Sequence, residues 1–477
     1  MSTVVLEPLA PPAPAPATPA GQPRRWLGLF AILAATIMNL LDTTVVNVGA
    51  PAIQASLGGS FTSLQWIAAS YTLALAVGLL TGGRLGDMFG RRRVLLVGVV
   101  GFVSASLLCA VAWSPESLIA ARVVQGLFAA VMVPQGFGLI RDLFPPREIG
   151  KAFGTFGPII GFSTILGPVV AGALIDADLF GTGWRMVFAI NLPLGIFALL
   201  AGRAALPAAP ASRARTRLDV TGAVTAAVGM VLLVFPLVQG RELGWPLWTF
   251  AMMVASVPVF GAFAVRQLRR TRAGSGRHPL VELSVFTRRS YTSGVLFVVV
   301  FFGAIAGFSL AVGMFLQLVL GYSPMKASLT MAAWAVGAFL GSGFGSTMMH
   351  RLGRRILHIG LALMLVGIGV LYPVFQLEGV GTRELLAPLL VYGVGMGMIF
   401  VPLFDIIMGE VRDHEVGSAS GILESLQQLG AALGIAILGT VFFSHVDVGV
   451  ERVTLIAFGL TAATFAVGFL LPKKARR

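Results

Sequence analysis

The chain has 477 residues, 56% hydrophobic and 11% charged, against roughly 25% charged in soluble domains. Such a composition excludes an ordinary soluble enzyme or binding domain and describes an all-α polytopic membrane protein with little soluble mass. The net charge of +14 does not imply nucleic acid as a partner, because the basic residues fall in short connections between apolar runs rather than on one folded face. A single cysteine, Cys109, excludes an intrachain disulfide and a thiolate metal cluster.

Residues 1–23 are rich in Pro and Ala, with one acid, Glu7, and no basic residue. A secretory signal would need a basic n-region, so the segment reads as a disordered cytoplasmic tail. About 20 apolar residues cross a bilayer as a helix. Fourteen such runs follow, near 26–50, 63–83, 94–113, 117–140, 149–175, 185–206, 219–239, 246–267, 290–318, 325–348, 356–376, 384–409, 416–444 and 452–471. With both termini cytoplasmic, this count puts 28 of the 34 Lys and Arg on the inner side and 5 on the outer, leaving Arg122 inside a span. One span more or fewer would reverse every later loop and destroy that asymmetry.

The connection GGRLGDMFGRRR, Gly82 to Arg93, combines glycines, four arginines and a lone acid, Asp87. A degenerate copy, GSTMMHRLGRR from Gly345 to Arg355, places His350 where Asp87 stands. Each copy follows the second span of a six-span set. Repeated halves around a midplane site are a secondary-transporter architecture. The expected units are therefore a six-helix half over 24–206, an inserted two-helix hairpin over 207–268, a basic loop over 269–289 and a second six-helix half over 290–477.

Charged groups inside spans are costly and mark function. At 1.5 Å per residue, Asp42 in span 1 lies roughly 24 Å from the inner surface and Arg122 in span 4 about 8 Å below the outer one. Both sit in the outer half of a core about 30 Å thick, so they are expected to pair. Protonating Asp42 would cancel its charge and free Arg122; the alternative is a static bridge that only fixes helix packing. Glu424, roughly 12 Å deep, and Asp405, nearer the inner surface, are candidates for attracting cationic substrate, although Asp405 also suits a plain interfacial acid beside Glu410, Arg412 and Asp413. Asn39 and Gln125 are uncharged cavity candidates, with interhelical hydrogen bonding as the default for either. The five histidines lack metal-ligand spacing, so no metal is expected. No P-loop, nucleophile elbow or HExxH is present, which argues against an ATP-driven pump and a membrane enzyme. A scaffold or sensor would need no ionisable groups at matched depth.

The loop Gly82–Arg93 resembles motif A of the major facilitator superfamily. The 6+2+6 pattern, with LDTTVVNVGAPAI in span 1, resembles the superfamily's fourteen-span drug:proton antiporter branch, over essentially residues 26–471. Span 5, GTFGPIIGFSTILGPVVAG, resembles the antiporter motif through Gly157, Pro158, Gly161, Gly167, Pro168 and Gly172. Ala171 and Ser163 depart from it, and a kinked packing helix with no directional meaning is the alternative. Arg122 with Gly126 in RVVQG matches the span-4 motif linked to proton transfer, and Asp42 occupies the acid of the span-1 motif. The resemblance implies a cell-membrane antiporter exporting amphipathic, often cationic drugs or antibiotics by alternating access. It implies protons and lipid as its other partners, a proton gradient in place of a cofactor, and function as a monomer. A dedicated exporter of one metabolite, antibiotic or lipid is the rival. Gly83, Asp87, Gly90, Arg91, Arg92 and Arg141 would form the cytoplasmic gate, with Arg91 and Arg141 as partners of Asp87 and the start of span 13 as its docking point.

Overall fold

A computed structural model describes residues 24–145, 148, 167–207, 219–272, 280–411 and 416–472, the side chains of Asp87, Arg141 and His350 and a few others excepted. The described residues form helices joined by turns and short irregular connections, without strands. In chain order they form α1 (Arg25–Leu57), α2 (Phe61–Phe89), α3 (Arg91–Ala110), α4 (Pro115–Met132) and α5 (Gln135–Leu143). Then come α6 (Gly167–Ala177), α7 (Met186–Ala189), α8 (Asn191–Ala205), α9 (Val220–Gln239) and α10 (Leu247–Arg272). The last six are α11 (Arg289–Met314), α12 (Pro324–Leu352), α13 (Arg355–Phe375), α14 (Thr382–Met408), α15 (Val416–Ser444) and α16 (Val446–Gly468). Thirteen helical segments are long and apolar enough to cross a membrane. The fifth expected span, 149–175, is described only over α6, so Gly157, Pro158 and Gly161 lie outside the described residues.

Three expected elements differ locally, each for a backbone reason. The motif-A segment is not a loop: α2 continues through it to Phe89, and the chain reverses at Gly90, whose φ of 88° suits glycine. Span 4 breaks into α4 and α5 because Pro134 has no N–H for the carbonyl four residues back. Gln135 bridges the break, donating to the carbonyls of Val131 at 2.9 Å and of Gly82 in α2 at 2.8 Å. Span 6 breaks between α7 and α8, where Pro193 likewise deletes the donor to Ala189.

Helices α1 to α5 and α8 pack together, as do α11 to α16. The two sets meet along α2 and α15. Helix α9 packs against α10 on one side and against both α2 and α15 on the other, through Leu73, Met230, Val234, Leu429 and Ala436. Helix α10 exposes most of its apolar surface, as a lipid-facing helix does.

Candidate functional site

Helices α1, α2, α3, α4 and α8 each send polar side chains to one buried point. Asp42 of α1 and Arg122 of α4 are both 1% exposed, and Arg122 Nη1 donates to Asp42 Oδ2. Gln125, one turn along α4, makes the pair a network. Its Oε1 accepts from Arg122 Nη1 at 2.8 Å, while its Nε2 donates to Asp42 Oδ1 and to Ser106 Oγ of α3, each at 2.7 Å. Arg122 Nε donates to the Ile67 carbonyl of α2 at 3.2 Å, and its guanidinium lies over the Tyr71 ring, 4.2 Å from the centroid. The Tyr71 hydroxyl donates to Asn39 Oδ1 at 2.6 Å. Asn191 of α8 donates to Ser106 Oγ at 3.1 Å and to Asp42 Oδ1 at 3.4 Å. A buried ion pair offsets its desolvation only when the remaining polar atoms are also satisfied, and this network supplies those partners.

Asp42 and Arg122, expected from the sequence to pair, and Gln125 and Asn39, singled out individually, thus share one network. Tyr71, Ser106 and Asn191 were missed. Asn191 carried the same signal that singled out Gln125, a carboxamide within an apolar span. Ser106 and Tyr71 carried none, since such residues are ordinary in membrane helices. Cys109 is a buried small residue as expected, but its Sγ also donates to Gln125 Oε1 at 3.5 Å. Gly126 lets α4 approach α2, since a methyl there would lie 2.5 Å from the Tyr71 carbonyl oxygen.

Glu424 on α15 and Asp405 on α14 are half-buried and do not join this network. Neither makes a hydrogen bond or ion pair among the described residues. At the basic end, Arg91 pairs with Asp142 of α5 at 3.5 Å, Arg92 donates to the Arg203 carbonyl at 2.7 Å and Arg84 reaches Glu282 at 3.9 Å. Gly83 is exposed and Gly90 half-buried; the side chains of Asp87 and Arg141 lie outside the described ones. In α6, Gly167 is buried and Pro168 half-buried. Gly172 admits the start of α12, as a methyl there would lie 2.7 Å from the Pro324 carbonyl oxygen. Asp176 Oδ2 caps that start, accepting from Ser323 Oγ at 2.7 Å and Met325 N–H at 3.2 Å. Among the described residues, no cluster of His, Cys, Asp and Glu is arranged to hold a metal.

Buried charge inside a two-set bundle of apolar helices is the plan of a transporter, and the Major Facilitator Superfamily model matches residues 32–435. The chain belongs to the major facilitator superfamily. It is 48% identical to the probable actinorhodin transporter of Streptomyces coelicolor, over 89% of this chain and 74% of that protein. It is 34% identical to the tetracenomycin C resistance and export protein of Streptomyces glaucescens, over 89% of this chain and 77% of that one. In fold it is similar to a bacterial homologue of the human lysosomal transporter Spinster, with a TM-score of 0.67 at 16% identity, covering 94% and 97% of the two chains. This superfamily member is a multi-pass protein of the cytoplasmic membrane, a transporter rather than an enzyme.

Proposed function

We propose that this protein is a fourteen-span proton-coupled antiporter that exports amphipathic, often cationic drugs or antibiotics by alternating access. The observation that carries the proton half of this reading is the buried Asp42–Arg122 pair with its uncharged hydrogen-bond shell. Protonation leaves Arg122 as an uncompensated charge in a low-dielectric interior, which changes the free energy of facing each side. Exchange follows if substrate and proton compete for the state in which Asp42 is ionised. Glu424, without an ion-pair partner among the described residues, suits a substrate cation better than a structural role. The exporter part is supported by the similarity to proteins named for actinorhodin transport and for tetracenomycin C resistance and export. The 48% identity to the actinorhodin transporter favours a second reading, an exporter dedicated to one antibiotic; a substrate panel of unrelated dyes separates the two.

The test is pH-gradient-driven movement of ethidium in liposomes. Asp42→Asn is expected to abolish the gradient dependence while the protein stays folded. Undiminished gradient-driven transport by Asp42→Asn removes Asp42 from the mechanism.

A further inference from the structure

Among the described residues, each group within hydrogen-bond distance of Asp42 is a donor to it: Arg122 Nη1, Gln125 Nε2 and Asn191 Nδ2. Donors suit an ionised carboxylate, which only accepts. A protonated Asp42 carries an O–H and needs an acceptor at the same buried point. The neighbours are engaged: Gln125 Oε1 accepts from Arg122 and Cys109, and the Tyr71 hydroxyl is bound to Asn39. Asn191 differs from them. Its Oδ1 is buried and has no hydrogen-bond partner among the described residues, although the residue is only 1% exposed.

We infer that Asn191 is a positioning residue whose carboxamide turns over when Asp42 takes a proton, so that Asn191 Oδ1 accepts the Asp42 O–H. This rests on the reading of Asp42 as proton carrier. A half-turn about the Cβ–Cγ bond exchanges Oδ1 and Nδ2 with almost no change of shape. Ser106 accommodates the exchange, since its hydroxyl now accepts from Asn191 Nδ2 and can donate to Oδ1 afterwards. The amide stays neutral throughout. One proton is bound to Asp42 from one side of the membrane and released to the other, and no other bond forms or breaks. Among the described residues, the charged or titratable groups facing Asp42 are Arg122 of α4, Tyr71 of α2 and Cys109 of α3. Asn191 reaches the site from α8, which it begins, beside the helix break before Pro193.

In its present orientation Asn191 adds little to ionised Asp42, because its bond is long, 3.4 Å, beside the 2.7 Å bond from Gln125. Removing the amide therefore harms the protonated form more than the ionised one. The test is infrared titration of the protonated-carboxyl band that disappears in Asp42→Asn, read on the full-length protein without substrate. Asn191→Leu is expected to move the midpoint of that band to more acidic pH by about one unit. Asn191→Ser, which keeps a hydroxyl able to accept, is expected to stay nearer the native midpoint. Asn191→Ala reports the same acid shift should the leucine variant fail to fold. An unchanged midpoint, or one moved to alkaline pH, in Asn191→Leu or Asn191→Ala overturns the inference. A native protein with no carboxyl band that depends on Asp42 overturns the proton-carrier reading itself.

Discussion

At Asp42 and Arg122 the energetics are those of two charges that neither water nor lipid can solvate. Removing one partner of such a buried pair costs about 3–5 kcal/mol, because the other is left uncompensated. Arg122→Gln is therefore expected to lower the thermal midpoint in detergent more than the double variant Asp42→Asn/Arg122→Gln, which leaves no lone charge. A loss in the double variant equal to the sum of the losses in Asp42→Asn and Arg122→Gln would show that the two residues do not interact energetically. Tyr71→Phe removes only the hydroxyl that serves Asn39; about 1 kcal/mol of stability is expected to go with it. Glu424 calls for a functional assay instead. Glu424→Gln is expected to lose transport of divalent cationic compounds and keep that of monovalent ones, and unchanged uptake of both removes it from substrate selection.

At the scale of elements, the α9–α10 hairpin is anchored by one acid. Asp219 caps α9 by accepting from the Gly222 N–H at 3.0 Å, pairs with Arg266 at 2.7 Å and Arg270 at 3.2 Å, and accepts from Gln267 Nε2 at 3.0 Å. Gln267 in turn accepts from the Leu280 N–H at 2.8 Å, so the hairpin base is tied to the segment leading into α11. Burial pushes the Asp219 carboxyl up, but the Arg266, Gly222 and Gln267 hydrogen bonds and the Arg270 charge hold it below its ordinary value. A lowered folded value means that the stabilisation is complete above the unfolded value and is lost only as pH falls through the folded one. The anchor is therefore expected to hold unchanged across roughly pH 5 to 8. Asp219→Ala is expected to cost at least the about 1 kcal/mol of an N-cap, and to raise protease cleavage between 207 and 219; cleavage at the native rate would show the anchor to be dispensable.

At the scale of the molecule, the seam between the two helix sets is held by polar contacts as well as packing. Gln65 of α2 donates to the carbonyls of Ile435 and Ala436 and to Thr440 of α15, at 3.3–3.4 Å. Thr440 donates to the Leu237 carbonyl of α9 at 3.0 Å, and Trp66 Nε1 to Gln239 Oε1 at 3.1 Å. Phe61 stacks on Phe443 at the end of the seam away from the basic loops, with centroids 4.7 Å apart. Replacing both polar groups, as Gln65→Leu/Thr440→Val, is expected to lengthen and broaden the spin-label distance between Gly58 and Val448. An unchanged distribution would leave apolar packing as the sole closure.

What could be read from the chain by itself was whatever the bilayer imposes on any sequence: runs of about 20 apolar residues, and arginines gathered on one side. Asp42 and Arg122 were legible for the same reason, since a charge in an apolar run stands out and helix rise converts its position to a depth. Distances along one helix do not say which faces of five helices converge. Ser106, Tyr71 and Asn191 therefore entered the site only through tertiary structure, and so did the docking of α9 on α2 and α15. The backbone breaks at Pro134 and Pro193 were written in the sequence, but what each break presents to its neighbours was not. The ends of the charged network were thus determined locally by the cost of burying charge, and its middle by packing, because only packing decides which neutral groups come near enough to share that charge.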